Sequence, residues 1–258
     1  VQEMLNLQQP LTQPEAQDEL LFIIIHQVYE LWFKEILHEL EFSIAMLKND
    51  QPMACLRHLN RIHAIQNVLT SQVDVLETMT PVDFNRFRER LNPASGFQSY
   101  QFRILEFKLG AKNPSYLRYH EHEPAIYQQL EKVLGEPTLY DHFLQFLGRQ
   151  GHGISAGVLQ RDFSKVHTGD ESVAAAFLNI YRNPDKHYDL YLALEALMDL
   201  DQKMLLWRYR HIAMVERMIG NLKGTGGSSG VKYLSTTLSK KFFPEIWEIR
   251  NAMGNGYS

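Results

Sequence analysis

The segment 16–49 constrains the fold more than any other feature, because it contains neither glycine nor proline. Its apolar side chains are spaced as in a helix, and the alternating pattern of a half-buried strand is absent from the chain. At 1.5 Å per residue, a helix over this segment is about 50 Å long. The segment therefore predicts a protein built on long helices.

The next part of the chain continues the helical pattern. From Pro52 to about Met79, apolar residues recur every three or four positions. Thr80 then caps a new helix, with Pro81 at its first position. Gly110 is expected to end the helix that holds "QFRILEF".

The second half of the chain predicts two shorter helices and a second long one. The shorter helices cover 124–134 and 138–148, and an irregular segment is expected over 149–169. The long helix is predicted over 185–219, starting after Asn183 and ending before a glycine. Together these patterns predict an all-α bundle of long helices with small helical insertions, forming one domain over residues 1–258.

Composition excludes several classes of protein. A formal net charge of −4 and a pI near 6.3 leave no basic field for nucleic acid or an anionic membrane. Cys55 is the only cysteine, which excludes an internal disulfide and indicates a reducing compartment, so we expect a cytoplasmic protein. Apolar runs such as Leu20–Ile25 reach six residues, against about 20 for a membrane span. We expect neither a nucleic-acid nor a membrane partner.

The stretch "LKGTGGSSGVKYL", Leu222–Leu234, places four glycines between two helical segments. It does not match a Walker loop, which needs Lys after its last glycine, because Lys223 precedes the first. The dinucleotide fingerprint fails because Ser229 stands where its third glycine is due. The pattern therefore indicates a mobile or unusually shaped loop, with a passive surface connection as the alternative.

Two polar residues lie where the helical pattern expects apolar ones. His26 shares a helix face with Phe22 and Phe33, where it is either a core histidine with satisfied hydrogen bonds or a functional group. Arg88 shares a face with Phe84, and a buried arginine needs an anionic partner. That partner is either an internal carboxylate or the carboxylate of a ligand.

His211 interrupts an apolar stripe that includes Trp207 and Met214. It is either a core histidine or the single axial imidazole of a haem. Glu35 and His38 match one half of the Glu-x-x-His pair of di-iron bundles, but the chain has no second copy.

Four segments of the chain resemble those of one enzyme family. They are "DELLFIIIHQVYELWFKEILHELE", "NPASGFQSYQFRILEF", "WRYRHIAMVERMIG" and "KGTGGSSGVKYL". They are similar, in this order from about Leu7 to Trp247, to the bacterial tryptophan 2,3-dioxygenase family. Members of this family use ferrous haem b and O₂ to cleave the C2–C3 bond of the indole ring of L-tryptophan. The product is N-formylkynurenine, which begins the kynurenine pathway.

The resemblance implies a role for each candidate residue. His211 matches the axial ligand of the haem iron, and His26 matches the catalytic histidine that accepts a hydrogen bond from the indole N–H. Arg88 matches the arginine that binds the substrate carboxylate. The other implied contacts are Phe22, Phe84 and Thr225 with the substrate, and Ser95, Gly96, Trp207, Met214 and Val215 with haem.

The resemblance also implies a moving loop and an assembly. The glycine-rich loop is expected to close over L-tryptophan as a lid, with Thr225 holding its amino-acid end. The family is a homotetramer, in which tyrosines upstream of the position of Val1 reach a neighbouring pocket, so we expect a segment before Val1. A non-catalytic helical haem-binding or interaction protein is the alternative function.

Overall fold

The computed structural model describes residues 1–224 and 229–254. Its α-helices are α1 (Gln2–Leu5), α2 (Gln17–Lys48), α3 (Pro52–Leu76), α4 (Pro81–Phe87), α5 (Tyr100–Leu109), α6 (Pro124–Gly135), α7 (Leu139–Arg149), α8 (Ala156–Leu159), α9 (Glu171–Arg182), α10 (Tyr188–Ile219), α11 (Val231–Ser235) and α12 (Pro244–Met253). Short 3-10 helices cover Arg88–Leu91, Gly96–Gln98 and Pro114–His120. No strand occurs in these residues, which confirms the all-α prediction. None of the helices in these ranges has the length and apolar character of a bilayer span.

The three longest helices form the centre of the protein, where α3 packs against both α2 and α10. Leu40, Ile62 and Leu200, one from each helix, are almost fully buried in the largest core. Burying each such side chain contributes about 1.5–3 kcal/mol to stability. Apolar periodicity along three long segments is thus what assembles the bundle.

Several helix boundaries agree with the sequence predictions. The long helix expected over 16–49 is α2, Gln17–Lys48. At the start of α4, the Thr80 hydroxyl accepts a hydrogen bond from the Asp83 N–H over 3.2 Å. At the end of α5, Gly110 has a φ of +119°, which lies in the region that glycine adopts readily.

Two boundaries in the second half differ from the predictions. The long helix expected from residue 185 begins at Tyr188, because residues 183–187 form a turn first. Before it lies α9, which the pattern reading missed although Asp170 caps it, accepting the Ser172 N–H over 2.8 Å. The segment 149–169 is mostly irregular, as predicted, but contains α8.

A second, smaller core lies between the N-terminal half of α2 and the C-terminal half of α10. Ile25 of α2, Phe87 of α4 and Met214 of α10 are buried in it. Val73 of α3 closes one side of this core. The elements that carry the predicted histidines therefore meet here.

A buried ion network joins α5 to α10. Glu106 pairs with Arg103 and also accepts a hydrogen bond from Arg208 over 3.4 Å. The guanidinium of Arg103 lies 3.7 Å from the ring centroid of Tyr116. All of these residues are buried, so the network holds α10 against α5 in a setting that screens charge weakly.

Candidate active site

Aromatic side chains form one wall of the candidate site. The ring of Phe22 on α2 lies 5.8 Å from that of Phe84 and 5.5 Å from that of Phe87, measured between centroids. Phe84 and Phe87 meet edge to face at 5.4 Å, a favoured geometry for aromatic pairs. Phe84 and Phe87 are buried behind Phe22, which is half-buried and supplies the accessible surface of the wall.

His26 lies beside this wall, with its ring centroid 4.1 Å from that of Phe22. Its Nδ1 lies 2.7 Å from the carbonyl oxygen of Phe22. Since a carbonyl oxygen only accepts, Nδ1 donates the proton, and Nε2 of the neutral ring keeps a lone pair. Burial lowers the pKa of His26, although the backbone hydrogen bond and the charge of Glu30 act against it. Part of the side chain nevertheless reaches solvent, so the ring offers a hydrogen-bond acceptor at neutral pH.

Arg88 lies at the end of the aromatic wall, where α4 gives way to a 3-10 turn. The helix face that Phe84 and Arg88 were predicted to share is therefore interrupted after Phe87. Arg88 is half-buried rather than enclosed. Its Nη2 donates a hydrogen bond to the Lys223 carbonyl oxygen over 2.8 Å. Within residues 1–224 and 229–254 it has no carboxylate partner. The internal ion pair considered from the sequence is thus absent from this part of the chain.

Ser95 and Gly96 form a tight turn before α5. The Ser95 hydroxyl accepts the Phe97 N–H over 3.3 Å, and the Ser95 N–H donates to Gln98 Oε1 over 3.1 Å. This reciprocal cap fixes the turn. A Cβ added at Gly96 would meet nothing within 4 Å, so there is open space beside this residue.

His211 lies on α10 with its ring parallel to that of Trp207, at 5.4 Å between centroids and 5° between planes. Its pKa is lowered to about 4, chiefly by burial and to a smaller extent by the charge of His26. The neighbours of the two histidines, Ile25 on α2 and Met214 on α10, are buried in the same smaller core. In the part of the chain that the structure describes, His211 makes no hydrogen bond. It is a neutral imidazole with an unused lone pair.

Trp207 is itself held from two sides. Its Nε1–H donates to the Tyr29 hydroxyl over 3.4 Å, and its ring lies 5.4 Å from that of Phe102. The Tyr29 hydroxyl donates in turn to the Leu69 carbonyl oxygen over 2.5 Å. The indole that stacks on His211 is therefore tied to both α2 and α3.

The other predicted residues divide into three groups. Met214 is buried in the small core and Val215 packs against it, on the same helix as His211. Thr225 lies outside the described residues. Glu35 and His38 take part in no cluster of three or more metal-binding side chains among the described residues, which disfavours the di-iron alternative.

Three features of the site were missed in the sequence. Phe87 belongs to the wall, and its helical spacing from Phe84 was a usable signal. Tyr29 fixes Trp207 from a distant helix, and nothing in the local sequence indicated this contact. Lys223 contributes only a backbone carbonyl, which residue type does not encode.

Comparisons with known proteins identify the family of the chain. The family described as tryptophan 2,3-dioxygenase matches residues 1–148 and 158–253. A tryptophan 2,3-dioxygenase of Caulobacter vibrioides is 43% identical over 251 residues, 97% of this chain and 95% of that protein. One from an Arthrobacter species is 44% identical over 97% of this chain and 88% of its own length. One from Xanthomonas campestris pv. campestris is 43% identical over 98% and 85%. With similarity of this extent, the chain belongs to the tryptophan 2,3-dioxygenase family.

Proposed function

We propose that this chain cleaves the C2–C3 bond of the indole ring of L-tryptophan with O₂, giving N-formylkynurenine and beginning the kynurenine pathway. Family membership supports the reaction. The observation that carries it to particular residues is that His26 lies beside the aromatic wall, while α10, which carries His211, packs into the same smaller core as this wall. Both oxygen atoms are retained in the product.

The cofactor in this proposal is haem b, held through His211. An imidazole with a pKa of about 4 is neutral at physiological pH and keeps a lone pair for iron. Trp207, Met214 and Val215 supply the apolar surroundings that suit a porphyrin. A Cβ at Gly96 would meet no atom within 4 Å, so a bound group could approach the backbone of this residue. When bound, ferrous haem supplies the iron that activates O₂.

The indole ring is assigned to the wall formed by Phe22, Phe84 and Phe87. Phe22 is the partly exposed ring of this wall, and stacking of the indole against it removes apolar surface from water and fixes the plane of the substrate. His26 accepts the indole N–H at Nε2, because its own Nδ1–H is committed to the Phe22 carbonyl. The lowered pKa of His26 keeps it neutral, so it accepts this bond throughout the physiological range.

The amino-acid end of the substrate is assigned to Arg88 and Thr225. Arg88 uses one N–H on the Lys223 carbonyl, and its remaining N–H groups suit a carboxylate bound through two oxygens. Thr225 is proposed to contact the same end of the substrate. Holding both ends of L-tryptophan orients the ring for reaction, which is the main contribution of the protein.

The test is formation of N-formylkynurenine by the reduced, haem-loaded protein after addition of L-tryptophan and air. His211→Ala is expected to bind haem weakly and to give no product. His122→Ala is the matched control, because this exposed histidine pairs with Glu123 at the surface. A protein that binds haem well yet forms no product would favour the non-catalytic haem-binding alternative.

A second arm of the test addresses Arg88. Arg88→Lys keeps the charge but loses the planar fork, so KM for L-tryptophan is expected to rise with a smaller change in kcat. An unchanged KM would remove Arg88 from the carboxylate site.

We also propose a cytoplasmic homotetramer, on the strength of the family resemblance. The N-terminal segment exposes Met4, Leu5, Leu7 and Leu11, and such apolar side chains suit packing between subunits. Light scattering coupled to size exclusion would give the mass in solution, and a monomer would refute the assembly.

A further inference from the structure

Four aromatic residues form a cluster beside the candidate site, here called the aromatic clasp: Phe97, Tyr116, Tyr119 and Tyr233. Phe97 stacks on Tyr119 at 4.7 Å with 8° between ring planes, and meets Tyr233 edge-on at 5.2 Å. The hydroxyls of Tyr116 and Tyr233 are hydrogen-bonded to each other. The clasp therefore joins three segments that are far apart in the sequence.

Tyr116 is the member of the clasp that is buried in the body of the protein. It is 5% exposed, and the Arg103 guanidinium covers its ring as part of the buried ion network. Tyr233 belongs to the short helix α11, which has no buried residue of its own. The hydroxyl pair is thus a specific polar link between α11 and the body of the protein.

Three residues before Tyr233, Gly230 lies directly against the other end of the glycine-rich loop. Its φ is +59°, and a Cβ at this position would lie 2.6 Å from the Leu222 carbonyl oxygen. The two ends of the loop are therefore in contact, and the position of α11 determines the position of Leu222. Leu222 and Gly230 both lie in the part of the chain that the structure describes.

Leu222 precedes Lys223, whose carbonyl oxygen receives the hydrogen bond from Arg88 over 2.8 Å. A continuous path of contacts thus runs from Tyr116 through Tyr233, Gly230 and the Leu222–Lys223 backbone to Arg88. Every step is a hydrogen bond, a covalent connection or the close approach of the Gly230 backbone to the Leu222 carbonyl, which leaves no room for a side chain. Displacing α11 would move the carbonyl that orients the guanidinium.

We propose that Tyr233 is a positioning residue for Arg88, and that its hydrogen bond with Tyr116 sets the selectivity of the site for ligands that carry a carboxylate. This rests on the proposed role of Arg88 in binding the substrate carboxylate. Tyr233 acts through the loop backbone and touches no substrate. Its loss therefore weakens recognition of the carboxylate and leaves recognition of the indole unchanged.

The experiment compares two ligands on the haem-loaded protein by isothermal titration calorimetry. L-Tryptophan carries the carboxylate and tryptamine lacks it, while both carry the indole and the ammonium group. In Tyr233→Phe, Kd for L-tryptophan should rise about three- to tenfold, the effect of losing one neutral hydrogen bond, and Kd for tryptamine should not change. Tyr116→Phe should have the same effect, and the double variant should add nothing further.

The matched control is Tyr188→Phe. Tyr188 is 58% exposed, and in the described part of the chain its hydroxyl forms no hydrogen bond, so neither Kd should change. If Tyr233→Phe weakens both ligands equally, the clasp is only structural and the proposal is wrong. If the wild type prefers L-tryptophan and Tyr233→Phe keeps the full preference, the proposal is also wrong.

A wild type that binds both ligands equally would instead refute the carboxylate role of Arg88, and the inference with it. Tyr116→Phe provides an independent measurement of the same link should Tyr233→Phe fail to fold. Absence of product from a wild type that prefers L-tryptophan would contradict the proposed reaction while leaving the positioning role intact.

Discussion

The imidazole of His211 lies parallel to the indole of Trp207, one helical turn earlier on α10, with 5° between the two ring planes. The indole is held by Tyr29 and Phe102, so it restricts the orientation that the imidazole can adopt. Orientation matters for an axial ligand, because iron binds a ring nitrogen along one direction only.

Replacing Trp207 by Leu should therefore weaken haem binding. The loss of one aromatic contact, about 0.5–1.5 kcal/mol, predicts that haem release becomes about three- to tenfold faster. Transfer of haem to excess apomyoglobin measures this rate. Tyr209→Leu, an exposed change on the same helix, is the control and should leave the rate unchanged.

The pH dependence of the reaction should report on His26. Its pKa lies below the ordinary value of 6.5, so most of the rings are neutral above pH 6.5 and the proton is gained as the pH falls further. Protonation removes the acceptor at Nε2, so kcat/KM should be constant near neutrality and fall on the acidic side. In His26→Gln, which keeps an acceptor but does not titrate, the acidic fall should disappear. An unchanged acidic fall in this variant would assign it to another group.

Gly230 and Gly220 provide a matched pair for testing the ends of the loop. Their dihedral angles are nearly the same, φ 59° and ψ −127° against φ 55° and ψ −134°. Gly220→Ala should therefore cost about 1–3 kcal/mol of unfolding free energy from backbone strain alone. A Cβ at Gly220 meets nothing within 4 Å, but at Gly230 it would clash with the Leu222 carbonyl. Gly230→Ala should be the more destabilising in urea unfolding, and equal costs would contradict the close contact.

Glu106 supplies the carboxylate of the buried ion network, and neutralising it should lower the free energy of unfolding. Glu106→Gln leaves Arg103 and Arg208 without their counter-charge, both almost fully buried. The expected loss of unfolding free energy is about 3–5 kcal/mol. Glu131→Gln, an exposed change on α6, is expected to stay within about 0.5 kcal/mol. A similar result for both variants would mean that the network does not stabilise the fold.

The sequence predicted the long helices because their apolar spacing is a local property. Thr80 and Gly110 mark helix ends by the chemistry of one residue, and both predictions are confirmed. Helix α9 was missed because its capping residue, Asp170, follows an irregular segment that gave no reason to look for a helix.

Only part of the site could be predicted from the sequence, and the reason is physical. Polar residues on apolar faces, such as His26 and His211, attract attention because burial of a polar group is costly. The roles assigned to these residues stay predictions. The Lys223 carbonyl and the Tyr116–Tyr233 pair depend on distant segments meeting in space, which no local pattern encodes.

The Tyr29 hydroxyl has a consequence for which substitutions the chain tolerates. This one oxygen joins the three longest helices, since it belongs to α2, donates to a carbonyl of α3 and accepts from the indole of α10. Position 69 contributes only its backbone to this junction, so another apolar helix former can replace Leu69 without breaking it. Position 29 has no such freedom, because even Phe removes the shared atom. Sequence variation in this region should therefore be tolerated at position 69, which supplies the carbonyl, but not at position 29, which supplies the hydroxyl.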